Sequence, residues 1–236
     1  MFQSIARVLC AEVSAMNIPA GLLPPLWEGL AHALFIAILV VAVFRAPWGL
    51  LRTNRLEHVV LGGAVLLVPL WAMSPGIEPG LELHLLGVAL LTLLLGWPLS
   101  LLAASATLFM SAAIGLYDWS SISVNGLLLC ALPAFTAARI HEAVQRWLPH
   151  NLFVYIFLTA YFGAMATVMA TAAASATIMA AAGAYTAEEL IHGYLMVAPL
   201  VAFPEGFITG MLITMLVVFK PNWVRSFDDR VYLINK

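Results

Sequence analysis

Apolar residues run through the chain in seven long blocks, separated by short clusters of charged residues, glycine and proline. The blocks fall at 26–44, 57–73, 81–95, 97–116, 123–139, 152–182 and 190–219. A helix needs about 20 apolar residues to cross a bilayer, with a range of about 17–25, so the pattern predicts an all-α integral membrane protein with about seven transmembrane helices. The third block is short and turns into the fourth at Gly96-Trp97-Pro98. It is either a tilted segment in a thinned region or a partial helix buried among its neighbours. Short, interrupted segments of this kind often sit at binding sites, because a broken helix leaves free backbone groups facing a cavity. The sixth and seventh blocks are long, and Pro199 and Pro204 predict a kink in the seventh.

Composition supports a membrane bundle and excludes a soluble domain. The 236 residues are 63% hydrophobic and only 9% charged, against about 25% charged in soluble domains. A net charge of -2 implies no nucleic-acid or other strongly charged partner. Cys10 and Cys130 have no CxxC spacing, so neither a disulfide framework nor a thiolate metal site is expected.

Basic residues give the direction. Arg45, Arg52 and Arg55 follow the first block, Arg139 and Arg146 lie where the fifth meets the sixth, and Lys220, Arg225, Arg230 and Lys236 close the chain. With seven crossings, nine of the ten Lys and Arg residues share one side, and only Arg7 falls on the other. The positive-inside rule then places the N-terminus outside and the C-terminus in the cytoplasm. The expected organisation is an external segment at 1–25, the bundle at 26–219 and a cytoplasmic tail at 220–236. Within the first segment, Val13-Ser14-Ala15 is similar to a small-residue cleavage site. Cleavage there, or translation from Met16, would expose Met16 as a new terminus.

Candidate chemistry gathers on the outer side. His84 stands at the head of the third block, after the breaker-rich Ser74-Pro75-Gly76-Ile77-Glu78-Pro79-Gly80. Neutral imidazole is the commonest side-chain ligand for late transition metals. Glu28, His32, Asn125 and His192 lie on the same side, whereas His58, His141 and His150 lie on the other. Glu28 and His32 are one turn apart, so the carboxylate could orient the ring or the two could form a simple interfacial pair. Glu205 is the one carboxylate deep in a block, and needs a partner such as nearby backbone amides or Asn125. Gly206 and Gly210 form a GxxxG, a close-packing signal. Met165/Met169 and Met211/Met215 repeat at helical spacing, which suits either gap-filling or Cu(I). No Walker, GxSxG or HExxH pattern is present, so no enzymatic activity is expected and any ATP hydrolysis must come from partners.

Taken in order, these elements resemble the membrane substrate-binding component of cobalt and nickel energy-coupling-factor (ECF) transporters, the CbiM/NikM type. The resemblance rests on Met16-Asn17-Ile18-Pro19-Ala20-Gly21, Leu83-His84-Leu85-Leu86-Gly87, Leu95-Gly96-Trp97-Pro98, Ser123-Val124-Asn125 and Pro204-Glu205-Gly206-Phe207-Ile208-Thr209, and runs from Met16 to about Phe219. It implies a multi-pass protein of the cell inner membrane. It also implies uptake of a divalent metal, cobalt or nickel, as substrate with no tightly bound cofactor. A transmembrane coupling subunit and ATPase subunits would be its partners. Its ligands are nitrogens, which carry over as the amine of Met16, Asn17 at the second position and the imidazole of His84.

Two positions depart from the family pattern. Asn17 replaces a histidine, and Met16 is internal as numbered. The ion could therefore differ, with copper one option, His32 could supply the missing imidazole, or the site has lost metal binding. A non-transport subunit that scaffolds or helps mature a metalloenzyme or respiratory complex is the alternative function. A haem protein using His32 and His84 as axial ligands is a third.

Overall fold

The computed structural model describes residues 18, 21–49, 51, 56–73, 84–228 and 232. Among these residues it contains seven helices of eight or more residues: α1 (Pro25–Arg45), α2 (Glu57–Ala72), α3 (Val88–Leu95), α4 (Trp97–Ala113), α5 (Ile122–Trp147), α6 (Leu152–Ala181) and α7 (Ala187–Phe219). Four of them, α1, α5, α6 and α7, are long and apolar enough to cross a membrane, and α2 and α4 are shorter apolar helices.

The third block is the partial helix. α3 has eight residues, about 12 Å of helix against about 30 Å of hydrocarbon, so it cannot cross. It is instead the centre of the bundle, touching α2, α4, α5, α6 and α7, with seven of its eight residues buried. So short a helix in a membrane is a problem of backbone satisfaction. The carbonyls of its last turn have no partner within the helix, and each polar group left bare in lipid costs several kcal/mol.

The far end of the chain answers that need. The Gly96 amide donates to the Thr92 carbonyl at 2.8 Å. The Ser226 and Arg225 amides donate to Leu93 and Leu94, both at 3.1 Å, and Arg225 Nη1 donates to Leu95 at 3.2 Å. All four terminal carbonyls of α3 are thus occupied, three of them by the segment after α7. That segment is anchored in turn. Tyr155 and Ser226 share a hydroxyl hydrogen bond of 2.6 Å, and Phe227 and Tyr232 pack on the Tyr155 ring.

The long helices carry π-helical stretches: Gly126–Ala131 in α5, Tyr155–Tyr161 in α6 and Leu190–Leu195 in α7. α5 also runs to Trp147, eight residues past the expected end at 139. Its extension carries Arg139 and Glu142, which form an exposed pair at 2.9 Å. The GxxxG of α7 is a packing face. A Cβ on Gly206 would lie 2.6 Å from Met165 and 2.7 Å from the Tyr161 carbonyl, and Gly210 also rests on Tyr161. Met165 is therefore a packing residue against α7, while Met211 and Met215 are about half exposed on its outer face. Cys130 is buried and free, and Cys10 lies outside the described residues.

Candidate metal site

His84 opens the segment that leads into α3, and that segment is not helical. Gly87 takes a left-handed φ of +66°, a conformation that costs other residues about 1–2 kcal/mol. The space is closed as well, since a Cβ there would lie 2.5 Å from Leu67 Cδ2. Gly87 thus forms the non-helical entry to α3, and His84, three residues before it, is only 2% exposed.

Two consecutive peptide groups in this segment are held on both edges by side chains. In the first, between residues 85 and 86, the Leu86 N–H donates to Glu205 Oε2 at 2.9 Å. The Leu85 carbonyl lies 3.0 Å from His84 Nδ1. In the second, the Gly87 N–H donates to Glu205 Oε1 at 2.8 Å and the Leu86 carbonyl accepts from Trp71 Nε1 at 3.0 Å. The Trp71 ring also lies against the imidazole, with centroids 5.6 Å apart.

These contacts define the imidazole. A carbonyl can only accept, so Nδ1 carries the proton and Nε2 of the neutral ring is left with its lone pair. That Nε2 is buried and has no hydrogen-bond partner among the described residues. An N–H at Nε2 would find no acceptor among the described residues, at a cost of about 1–3 kcal/mol. The result is a nitrogen donor of fixed tautomer and orientation, as metal-ligating histidines have when the other ring nitrogen is hydrogen-bonded.

Glu205 differs from expectation in its partner. It neither pairs with Asn125 nor caps the amides beside Pro204. It reaches from α7 to the His84 segment, 118 residues away. Asn125 instead holds residue 18: its Oδ1 accepts the Ile18 N–H at 3.0 Å and its Nδ2 donates to the Ile18 carbonyl at 3.4 Å and to Ser121 Oγ at 3.2 Å. Ile18 is 2% exposed, so the chain just after Asn17 is packed into the bundle.

His32 is half-buried on α1, and its Nδ1 donates to the Glu28 backbone carbonyl at 2.6 Å. The ring is oriented by its own helix, not by the Glu28 carboxylate. Met16 and Asn17 lie outside the described residues. Among the described residues no three His, Cys, Asp or Glu side chains come together, so His84 contributes one donor nitrogen rather than a finished ligand set. His192 is exposed. His58, His141 and His150 each pack on an aromatic residue in contact with the C-terminal segment or part of it: Trp223, Tyr155 and Tyr232.

Comparison with known proteins decides the family. The family model described as the cobalt uptake substrate-specific transmembrane region, CbiM, matches residues 17–223. The chain belongs to the CbiM family. It is accordingly a multi-pass membrane component of a metal-uptake transporter. The CbiM match begins at Asn17, the residue before the one that Asn125 holds. The fold is shared with the crystal structure of a truncated transition metal transporter. That structure has a TM-score of 0.72 and is 18% identical over 86% of this chain and 98% of the other. A second crystal structure of a transition metal transporter matches with a TM-score of 0.69 at 18% identity, over 85% of this chain and 92% of that one. No protein of curated function matches the chain.

Trp71, the Leu85 carbonyl and the Leu86 and Gly87 amides were not singled out by sequence. Trp71 carried a weak signal, since indoles mark the ends of membrane helices. The backbone groups carried none.

Proposed function

We propose that this CbiM-family chain is the substrate-binding component of an ECF transporter, and that it captures a divalent transition-metal ion, cobalt or nickel, at a site centred on His84 Nε2. The observation that carries this reading is that nitrogen itself: buried, unprotonated and without a partner among the described residues. Its remaining ligands are the amine of Met16, once the chain begins there, and nitrogen at Asn17. His32 is the available substitute for the imidazole that Asn17 lacks. Nitrogen donors in a near-planar set favour late divalent ions over magnesium or calcium. The sequence carries no nucleotide-binding motif, which is in keeping with ATP hydrolysis by separate subunits joined through a transmembrane coupling protein. The distribution of basic residues supports an orientation with the N-terminus and the metal site outside, and the ECF reading carries with it the inner membrane as the location.

The test is a nickel(II) and cobalt(II) titration of purified protein in detergent, with N-terminal sequencing of the same sample. Wild type binds one ion, and His84→Ala loses at least a hundredfold in affinity while keeping its helical signal. Unchanged affinity in His84→Ala would falsify the assignment.

A further inference from the structure

We infer that Glu205 is a positioning residue for metal ligation, acting on His84 through the single peptide group between Leu85 and Leu86. This deepens the metal reading above and rests on it.

The argument is one of connectivity. The Leu85 carbonyl and the Leu86 N–H are opposite edges of one planar amide. His84 Nδ1–H donates to the first edge at 3.0 Å, and the second donates to Glu205 Oε2 at 2.9 Å. The sequence of bonds is carboxylate, amide, imidazole, and the far end of the imidazole is Nε2, which has no partner among the described residues. In metalloprotein sites a carboxylate commonly accepts directly from the second nitrogen of a ligating histidine, which fixes its tautomer and raises its basicity. Here a peptide is interposed. Hydrogen bonds in such a chain polarise one another. An anion on the N–H edge makes the carbonyl a better acceptor, which in turn makes Nε2 a better donor to a cation.

Glu205 is suited to this role by its surroundings. It is 2% exposed, and both carboxylate oxygens accept an amide hydrogen from the same segment. The adjoining Gly206 is packed on Met165 and Tyr161 of α6, which fixes where the side chain starts. Trp71 supplies a comparison, because its indole N–H bonds only to the second peptide, and a phenylalanine there would remove that bond while keeping an aromatic ring beside the imidazole.

The experiment titrates nickel(II) into wild type, Glu205→Gln and Trp71→Phe, and records the ligand-field absorption of each complex. Glu205→Gln offers one acceptor where two are needed and removes the charge. It is expected to weaken nickel binding at least tenfold and to shift the ligand-field band. Trp71→Phe weakens binding less and leaves the band in place. Glu205→Gln with wild-type affinity and spectrum overturns the inference, and so do equal band shifts in the two variants. A second measurement needs no variant. Nickel on Nε2 makes Nδ1–H a stronger donor, so amide exchange at Leu86 in wild type slows at least tenfold on adding nickel. Unchanged exchange there overturns the inference. A wild type that binds nickel without these effects overturns this inference alone, and a wild type that binds no nickel overturns the metal reading with it.

Discussion

Asn125 and Ile18 are joined edge to edge, the carboxamide of one matching the N–H and the carbonyl of the other at 3.0 and 3.4 Å. A primary amide is the one side-chain group that presents donor and acceptor with the spacing of a peptide edge. The contact therefore docks the backbone at residue 18 on the bundle whatever the side chain there is. Asn125→Leu removes both bonds with little change in volume. At about 1 kcal/mol for each bond, nickel affinity is expected to fall roughly 30-fold. Asn125→Asp keeps the acceptor for Ile18 N–H and loses the donor, so it falls between. Isothermal titration of the three proteins checks the order. Equal affinities would show that the docked segment plays no part in the site.

Gly87 is the hinge of the His84 segment for two separable reasons. Its φ of +66° strains any residue with a Cβ, and that Cβ would overlap Leu67 Cδ2 at 2.5 Å. Gly87→Ala is expected to lower stability by about 1–3 kcal/mol, read as a lower thermal midpoint in detergent. Adding Leu67→Val removes the overlapping methyl and should recover only the steric part. Full recovery in the double variant would mean that the backbone strain is negligible.

Arg225 closes the opposite end of α3. Its guanidinium donates to the Leu95 carbonyl and its amide to Leu94. Arg225→Ala leaves the first carbonyl bare in an apolar setting, for about 1–3 kcal/mol. Arg225→Pro also removes the backbone donor and should cost more. Truncation after Lys220 removes three of the four partners of the α3 carbonyls and should be the least stable form. Thermal unfolding of the series tests this ranking, and a truncated chain as stable as wild type would refute the capping role.

Much of this architecture was legible in the hydrophobic pattern, because a membrane forces each crossing to be a long apolar run. The runs that became α1, α2, α6 and α7 ended within about three residues of their helices. The GxxxG at Gly206 and Gly210 also met a neighbouring helix as its small residues required. What pattern could not give was what depends on distant backbone. The run from 81 to 95 is apolar but for Thr92 in its second half, and nothing local says that helix starts only at Val88. The reason lies in Glu205 and Gly87 together, one supplying acceptors from more than a hundred residues away and the other the turn. The end of α5 was misplaced for a different reason. Arg139 marks the edge of the apolar stretch, but the helix continues beyond it on polar residues that include the Arg139–Glu142 pair. Of the candidate site's residues, His84 stood out as an imidazole at a helix mouth, whereas its tautomer depended on a carbonyl that no composition reveals.

Orientation is the remaining expectation that a direct measurement can settle. Asp118 is exposed between α4 and α5, and His150 is exposed between α5 and α6 at the end where Arg139 and Arg146 lie. One crossing, α5, separates the two positions. Basic residues retained in the cytoplasm put His150 inside and Asp118 outside. In a Cys10→Ser background, with Cys130 shielded by its burial, Asp118→Cys is expected to react with a membrane-impermeant maleimide on intact cells. His150→Cys should react only after permeabilisation. The reverse pattern would turn the bundle over and put the His84 end on the cytoplasmic side, so the protein could not capture metal from outside at Nε2 of that residue.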